Sequence, residues 1–119
     1  MEVNQGDIYW VRWDSPEDGA PGIPHPHVVV QENVFNHSRL TTVVACALTS
    51  NTARVSLPGN LLLEAGEGNL PRQSVVEVSK VTAVEKTRLG EFIGSLSEAR
   101  VKQILAAMQF VQTSFLDRK

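Results

Sequence analysis

Apolar residues divide the chain into short strand-like runs followed by one helical stretch. Residues Asp7 to Trp13 alternate and are rich in β-branched and aromatic side chains, which predicts a first strand. The same signals predict further strands at His27 to Gln31, Thr41 to Leu48, Arg54 to Leu57, Leu61 to Glu64, Ser74 to Val78 and Val81 to Val84. From Val101 onward the apolar spacing changes to three and four, which predicts a helix over Glu98 to Phe115 with Ser97 as its N-cap.

Turn-forming residues separate these elements. Ser15 to Pro26 holds four prolines and two glycines, which predicts a long loop. Glu32 to Arg39 and Ala65 to Arg72 are predicted loops, Pro58-Gly59-Asn60 is a turn signal, and Lys86 to Phe92 is predicted to contain a helical turn. The pattern therefore predicts one domain over residues 1–119, a small and mostly antiparallel β-barrel followed by a C-terminal helix.

Composition narrows the possible partners and compartments. The 119 residues carry 11 basic and 13 acidic side chains, so the net charge of −2 excludes a bulk-basic nucleic-acid coat protein but permits a local basic patch. The N-terminus lacks a signal peptide and no apolar run approaches the length of a membrane span, so we expect a cytoplasmic protein without membrane contact. The single cysteine, Cys46, lies in an apolar run and is expected to be a buried hydrophobe.

Two groups of polar side chains are candidates for chemistry. His25 and His27 are two residues apart and share a face in an extended segment, where they could divide acid and base roles or pack at a strand entrance. No third metal ligand is evident nearby, so neither a metal nor another cofactor is expected. Thr49, Ser50 and Asn51 end an apolar strand, a position typical of catalytic groups and also of turns.

The first strand carries two tryptophans, Trp10 and Trp13, whose odd spacing places them on opposite faces. We expect one of them to be part of the core. The other is expected to be partly exposed, where an RNA base could stack on it.

The order and spacing of seven short segments carry a resemblance to a known family. They are Gly6-Asp7-Ile8-Tyr9, Pro26-His27-Val28-Val29-Val30-Gln31, Val43-Val44-Ala45-Cys46-Ala47-Leu48-Thr49-Ser50, Ser74-Val75-Val76, Val81-Thr82-Ala83-Val84-Glu85-Lys86, Arg88-Leu89-Gly90 and Gly94-Ser95-Leu96. Over nearly its whole length the chain resembles the MazF/PemK toxins of type II toxin–antitoxin systems.

This resemblance implies an SH3-like barrel with a C-terminal helix, a homodimer, and an antitoxin partner that binds along the active-site groove. It also implies metal-independent, sequence-specific cleavage of single-stranded RNA. The family's catalytic pair is an arginine before the proline of the second strand and a hydroxyl residue that ends the third. Thr49 matches the hydroxyl position, with Ser50 beside it, but His25 stands where the family has arginine.

Histidine in place of arginine replaces a permanently charged guanidinium, which can bind phosphate through two hydrogen bonds, by a group that can transfer protons near neutral pH. We therefore expect His25 to transfer a proton and Thr49 to bind the phosphate. Arg54, Arg12 or His27 would supply the missing charge, and Ser50 and Asn51 are further candidates for substrate contact.

Two other functions are compatible with the same fold. One is a CcdB-like toxin that poisons gyrase, whose activity would lie near the end of the C-terminal helix, at Phe115 to Lys119. The other is an antitoxin-binding module that lost catalysis together with the arginine.

Overall fold

The computed structural model describes residues 2–13 and 22–113 of the chain. Its strands are β1 (Asp7–Val11), β2 (His25–Val29), β3 (Thr42–Thr49), β4 (Leu61–Leu63), β5 (Ser74–Glu85) and β6 (Leu89–Ser95). Its helices are the short α1 (Asn33–Asn36) and the long α2 (Glu98–Thr113). Most of the predicted loop Ser15–Pro26 and the predicted helix end at Phe115 lie outside the described residues, as does the segment Phe115 to Lys119.

The six strands form one antiparallel sheet in the order β4-β5-β3-β2-β1-β6. A 3-10 turn at Glu67–Asn69 bridges the two edge strands, and the Asn69 side chain donates a hydrogen bond to the Ile93 carbonyl on β6 at 3.0 Å. At this junction Gly94 is required, because a Cβ there would lie 2.3 Å from the Gly68 carbonyl oxygen. The predicted fold class, mainly β and barrel-like with a C-terminal helix, is confirmed.

The curved sheet has an apolar cluster on each face. The larger one packs against α2 and is built from Ile8, Val28, Val30, Cys46, Leu48, Leu63, Leu70, Val76, Val78, Leu96 and Ile104. The smaller one on the other face contains Val3, Tyr9, Val11, Val29, Val43, Ala45 and Val84. Cys46 is fully buried as predicted, and this burial raises the pKa of its thiol to about 12.

Three predicted elements differ from the structure. Arg54 to Leu57 is not a strand: Thr52–Ser56 forms an exposed 3-10 turn whose first amides are capped by Asn51. The predicted helical turn over Lys86 to Phe92 is confined to Lys86–Arg88, after which the chain continues as β6. The predicted loop after β2 contains α1, which is held by hydrogen bonds between Asn36 and Gln31 at 2.7 and 2.9 Å.

The two strands predicted at Ser74 to Val78 and Val81 to Val84 are one long strand, β5, interrupted by a bulge. Cys46 pairs with Val81 whereas Ala47 pairs with Glu77, so the three residues 78–80 have no counterpart on β3. Such bulges bend a strand and re-aim its side chains. Here the bulge separates the half of β5 that packs under α2 from the half that packs on the opposite cluster.

The long helix is joined to the sheet by a cap and an ion pair. Ser97 accepts a hydrogen bond from the Arg100 amide at 3.2 Å, which confirms the predicted N-cap. Arg100 makes a bidentate contact with Glu67, with both N–O distances at 2.8 Å. Among the described residues, no helix is long and apolar enough to cross a membrane.

The contact between Arg100 and Glu67 predicts a pH dependence of stability. Hydrogen bonding to Arg100 lowers the pKa of Glu67 below its ordinary value of 4.5. The stabilisation is therefore fully present above pH 4.5 and is lost as the pH falls through the lowered pKa. We expect Arg100→Met to lower the free energy of unfolding by about 1 kcal/mol at pH 7. Urea denaturation at pH 7 and at pH 3 measures this difference, which should be smaller at the lower pH; an equal loss at both values would contradict the ion pair's role.

Candidate active site

The register of three neighbouring strands brings the candidate groups onto one face of the sheet. His27 on β2 pairs with Ala47 on β3, and Ala47 pairs with Glu77 on β5. Directly opposed residues of antiparallel strands point to the same side. Continuing the same register by two residues sets His25 opposite Thr49. The small Ala47 side chain thus lies between an imidazole and a carboxylate, which leaves space above it.

That space is an open cavity of about 460 Å³, which we call the histidine cavity. It is lined by Trp13, His25, His27, Ala47, Leu48, Thr49, Asn51, Arg54, Glu77, Lys80, Val81 and Thr82. Five of the predicted candidates, His25, His27, Thr49, Asn51 and Arg54, therefore lie around one space. The cavity is wide enough to admit a phosphate and part of a nucleotide, within the usual range for ligand sites.

His27 is the buried imidazole of the pair, with a residue exposure of 5%. Its Nδ1 lies 3.0 Å from the carbonyl oxygen of His25. Because a carbonyl can only accept, Nδ1 carries the proton and Nε2 is left with a free lone pair. Burial lowers the pKa of His27 below 6.5, so the ring is neutral at pH 7. No buried side-chain nitrogen or oxygen among the described residues lacks a partner, so the unpartnered Nε2 has access to solvent in the cavity.

Thr49 and Asn51 form a local turn at the end of β3. The Thr49 Oγ1 accepts a hydrogen bond from the Asn51 amide at 3.2 Å, and the Asn51 Oδ1 accepts one from the Ala53 amide at 3.2 Å. This arrangement starts the 3-10 turn that carries Arg54 to the cavity. The amide oxygen of Asn51 is thus used structurally, while the hydroxyl of Thr49 can still donate a hydrogen bond.

Sequence reasoning missed two charged residues that the bulge of β5 places in the cavity. Glu77 has a side chain only 6% exposed, and its Oε1 lies 3.5 Å from the Nζ of Lys80 across the bulge. Asn60 fixes this part of the site, since it accepts a hydrogen bond from the Val78 amide at 3.1 Å and donates one to the Arg54 carbonyl at 2.9 Å. The apolar pattern of β5 contains no signal for the bulge, so these positions could not be found from spacing alone.

Two predicted residues lie elsewhere. Ser50 faces a second cavity of about 310 Å³, which shares His25, Leu48 and Thr49 with the first. Arg12 lines a third cavity of about 350 Å³, next to Trp10. The charge that accompanies His25 in the histidine cavity therefore comes from Arg54 and Lys80, and not from Arg12.

The prediction that one tryptophan belongs to the core is wrong. Trp10 and Trp13 are 37% and 42% exposed, and the buried aromatic of β1 is Tyr9 at 1%. Trp13 lies against His27 with ring centroids 6.5 Å apart in an edge-to-face arrangement. It therefore forms a wall of the histidine cavity.

Within residues 2–13 and 22–113, no three His, Cys, Asp or Glu side chains come close enough together to hold a metal ion. The polar groups of the histidine cavity can themselves supply acid, base and hydrogen-bonding chemistry.

Comparison with known proteins places this geometry in a family. Residues 4–111 match the family described as PemK-like, MazF-like toxin of type II toxin-antitoxin system. Endoribonuclease MazF6 of Mycobacterium tuberculosis is 36% identical over 104 residues, covering 87% of this chain and 91% of that protein. Endoribonuclease EndoA of Bacillus subtilis is 26% identical over 109 residues, covering 92% and 93% respectively.

Solved structures agree on the fold. A crystal structure of MazE-MazF from Deinococcus radiodurans has a TM-score of 0.77 with 17% identity and covers 100% of this chain and 99% of that one. An endoribonuclease in complex with its cognate antitoxin from Mycobacterial species has a TM-score of 0.66 with 20% identity and covers 90% and 89%. The chain belongs to the PemK-like, MazF-like toxins of type II toxin–antitoxin systems, the family that its sequence motifs resemble.

Proposed function

We propose that this protein is a toxin that cleaves single-stranded RNA at short sequence motifs without a metal ion and thereby inhibits translation and growth. The convergence of His25, His27 and Thr49 in one open cavity with Arg54 and Lys80 is the observation that carries the proposal. In RNA cleavage by the substrate's own 2′-hydroxyl, two imidazoles can transfer the protons. A hydroxyl and cationic side chains can bind the phosphate. The endoribonuclease names of the 36% and 26% identical relatives support the same activity.

The reaction needs a base for the 2′-hydroxyl and an acid for the leaving oxygen. The 2′-oxygen forms a bond to phosphorus while the bond from phosphorus to the 5′-oxygen breaks, which leaves a 2′,3′-cyclic phosphate and a free 5′-hydroxyl. His27 is suited to remove the 2′-proton, because its neutral Nε2 has access to the cavity. His25 is exposed at the cavity mouth and donates a proton to the 5′-oxygen. Thr49 donates a hydrogen bond to a phosphate oxygen.

The charge that builds up on phosphorus must be balanced by cations. Lys80 is already paired with the buried Glu77 at 3.5 Å, whereas no ion pair links Arg54 to another described residue. The Arg54 guanidinium is therefore the cation of the cavity that is free to bind phosphate. It takes over the charge that the family arginine supplies, while His25 takes over proton transfer.

The wider biological setting follows from family membership. The protein is expected to work in the cytoplasm and to bind a cognate antitoxin that inhibits it; one of the similar solved structures is an endoribonuclease in complex with its cognate antitoxin. We also propose a homodimer, since Phe92 and Phe110 are 51% and 57% exposed and would gain from being covered. Size-exclusion chromatography with light scattering measures the mass, and a monomer at micromolar concentration would contradict this part of the proposal.

The two alternative functions have less support. A gyrase poison would not need the cavity chemistry, and its activity would depend on Phe115 to Lys119, which lie outside the described residues. An inactive antitoxin-binding module would not need a neutral imidazole that reaches solvent beside a second histidine. Incubation with a long single-stranded RNA and a chelator separates the proposals, because only the nuclease leaves a 2′,3′-cyclic phosphate end.

The role of His25 is tested by His25→Ala. Loss of one acid–base group should slow RNA cleavage about 10²- to 10⁴-fold. His25 is exposed, so the variant should fold, which circular dichroism and thermal denaturation can verify. His37 lies at the C-terminal end of α1 and does not line the histidine cavity, so His37→Ala is the matched control and should cleave normally. Full activity of His25→Ala would contradict the assignment.

The role of His27 is tested by the pH dependence of cleavage. Burial lowers the pKa of His27 below 6.5, so the free base is present at pH 7 and is lost as the pH falls through that lowered value. We expect kcat/KM to fall on the acid side with a midpoint below 6.5. In His27→Gln the remaining activity should lack this acid limb. A profile that is flat between about pH 5 and 8 would rule out proton transfer by either histidine.

The role of Arg54 is tested by Arg54→Met, which keeps the length of the side chain and removes its charge. RNA binding should weaken, and the slope of log K against log salt should become shallower by about 0.7 for one lost contact to a single strand. Arg39→Met removes an exposed arginine from the loop before β3 and serves as the control. If both variants change binding and its salt slope equally, Arg54 is not the phosphate clamp.

A further inference from the structure

We propose that Trp10 is a stacking platform for an RNA base next to the cleaved phosphate, and that the RNA continues from there toward Arg12. This inference rests on the proposed RNA cleavage and adds the path of the substrate. It starts from three cavities that share lining residues. The second cavity, beside Ser50, shares His25, Leu48 and Thr49 with the histidine cavity, and the third shares Trp10 and Pro24 with the second.

The shared residues define one continuous path across the end of the sheet. Trp10 pairs with Pro26 on β2, so both point to one face, while the adjacent His25 points to the other. A strand that passes from the histidine cavity to the second cavity therefore crosses the sheet end at His25 and Thr49. This crossing is where the groups for cleavage lie. One nucleotide enters the histidine cavity and its neighbour enters the cavity walled by Trp10.

The surroundings of Trp10 suit a base. The second cavity is lined by Pro24, Pro26, Leu70 and Pro71 around the indole, and its polar groups are Ser50, Arg72 and Ser74 together with the shared His25 and Thr49. Trp10 is 37% exposed although it lies within a strand paired on both sides. Because its backbone is fixed by β1, little conformational entropy is lost when a base stacks on the ring. An aromatic wall and a few polar groups are how proteins bind unpaired RNA bases.

The glycine opposite this strand keeps the platform in place. A Cβ at Gly90 on β6 would lie 2.8 Å from the carbonyl oxygen of Trp10, so only glycine allows the two strands to approach this closely. The close approach leaves the third cavity between Trp10, Arg12 and the segment Thr87 to Gly90. Arg12 is exposed at this cavity, next to the tryptophan.

Charge favours an RNA strand as the occupant. Arg54 and Lys80 lie at one end of the path and Arg12 at the other, with Arg72 between them. A chain with a net charge of −2 thus has cations spaced along the linked cavities, with an aromatic ring among them. Alternation of cations with a stacking aromatic is typical of grooves for single-stranded nucleic acid.

The stacking is tested with the full-length protein and a short RNA that carries a 2′-O-methyl group at the cleavage site, so that it binds without reacting. The chain has only two tryptophans, so Trp13→Phe leaves Trp10, and Trp10→Phe leaves Trp13, as the single tryptophan, which can be excited selectively over Tyr9. Titration of Trp13→Phe with this RNA should quench its fluorescence. No change in Trp10 emission at saturating RNA would overturn the proposal.

A second measurement locates the stacked base. Trp10→Ala should bind the RNA about 5- to 100-fold more weakly than the unsubstituted protein, and Trp10→Phe should restore most of the affinity. Two further RNAs each carry one abasic nucleotide, either before or after the cleaved phosphate. One of these two RNAs should bind the unsubstituted protein more weakly than the intact RNA. Trp10→Ala should bind that abasic RNA no more weakly than the unsubstituted protein does. Phe35→Ala, an exposed aromatic on α1 that lines none of the three cavities, is the control.

The outcomes separate this inference from the proposed function. If the unsubstituted protein neither binds nor cleaves RNA, the proposed function itself fails. If the protein cleaves RNA but Trp10→Ala binds RNA as tightly as Phe35→Ala, the function remains and the Trp10 platform is wrong. The same holds if the losses of affinity caused by Trp10→Ala and by the abasic nucleotide multiply as independent effects.

Discussion

The antiparallel register between β2 and β3 is the constraint on which the rest of the site depends. His27 faces Ala47, and this one pairing also places His25, Thr49 and Glu77 on the same face of the sheet. Side chains alternate along a strand, so a slip of β2 by one residue would send His25 and His27 to the opposite face, away from Thr49 and Glu77. That slip is opposed because it would turn the His27 imidazole into the apolar cluster under α2, where Val28 now packs. The packing that stabilises the fold therefore also aligns the chemistry.

Burial distinguishes two otherwise identical side chains, His27 and His25. His27 is buried and donates Nδ1–H to the His25 carbonyl, so desolvation keeps the ring neutral and this hydrogen bond fixes its tautomer. His25 lies at the mouth of the same cavity, exposed to solvent. In the proposed mechanism, the replacement of the family's arginine by His25 separates charge from proton transfer. Arg54 on the neighbouring 3-10 turn can supply the charge, and the histidines can move the protons.

The sequence predicted most of the scaffold because its signals are local. β1, β3, β4 and α2 follow from alternation or helical spacing, and the predicted Ser97 cap is present. β6 was missed because its central residues include two glycines and a glutamate, and it forms only by pairing with β1. Arg54 to Leu57 was misread as a strand because the capping of the turn by Asn51 outweighs the apolar character of Val55 and Leu57. Local propensity decides an element only where no such tertiary or capping contact opposes it.

By itself the sequence determined the family, the mainly β architecture and the catalytic candidates His25 and Thr49, since these depend on residue identity, order and short-range periodicity. The tertiary structure alone decided which charges accompany them. Glu77 and Lys80 reach the histidine cavity only because three residues of β5 bulge out. Arg12 does not line this cavity, because it lies next to Trp10 at the third cavity. Pairing between strands distant in the chain sets these positions, and no local pattern of apolar and polar residues encodes it.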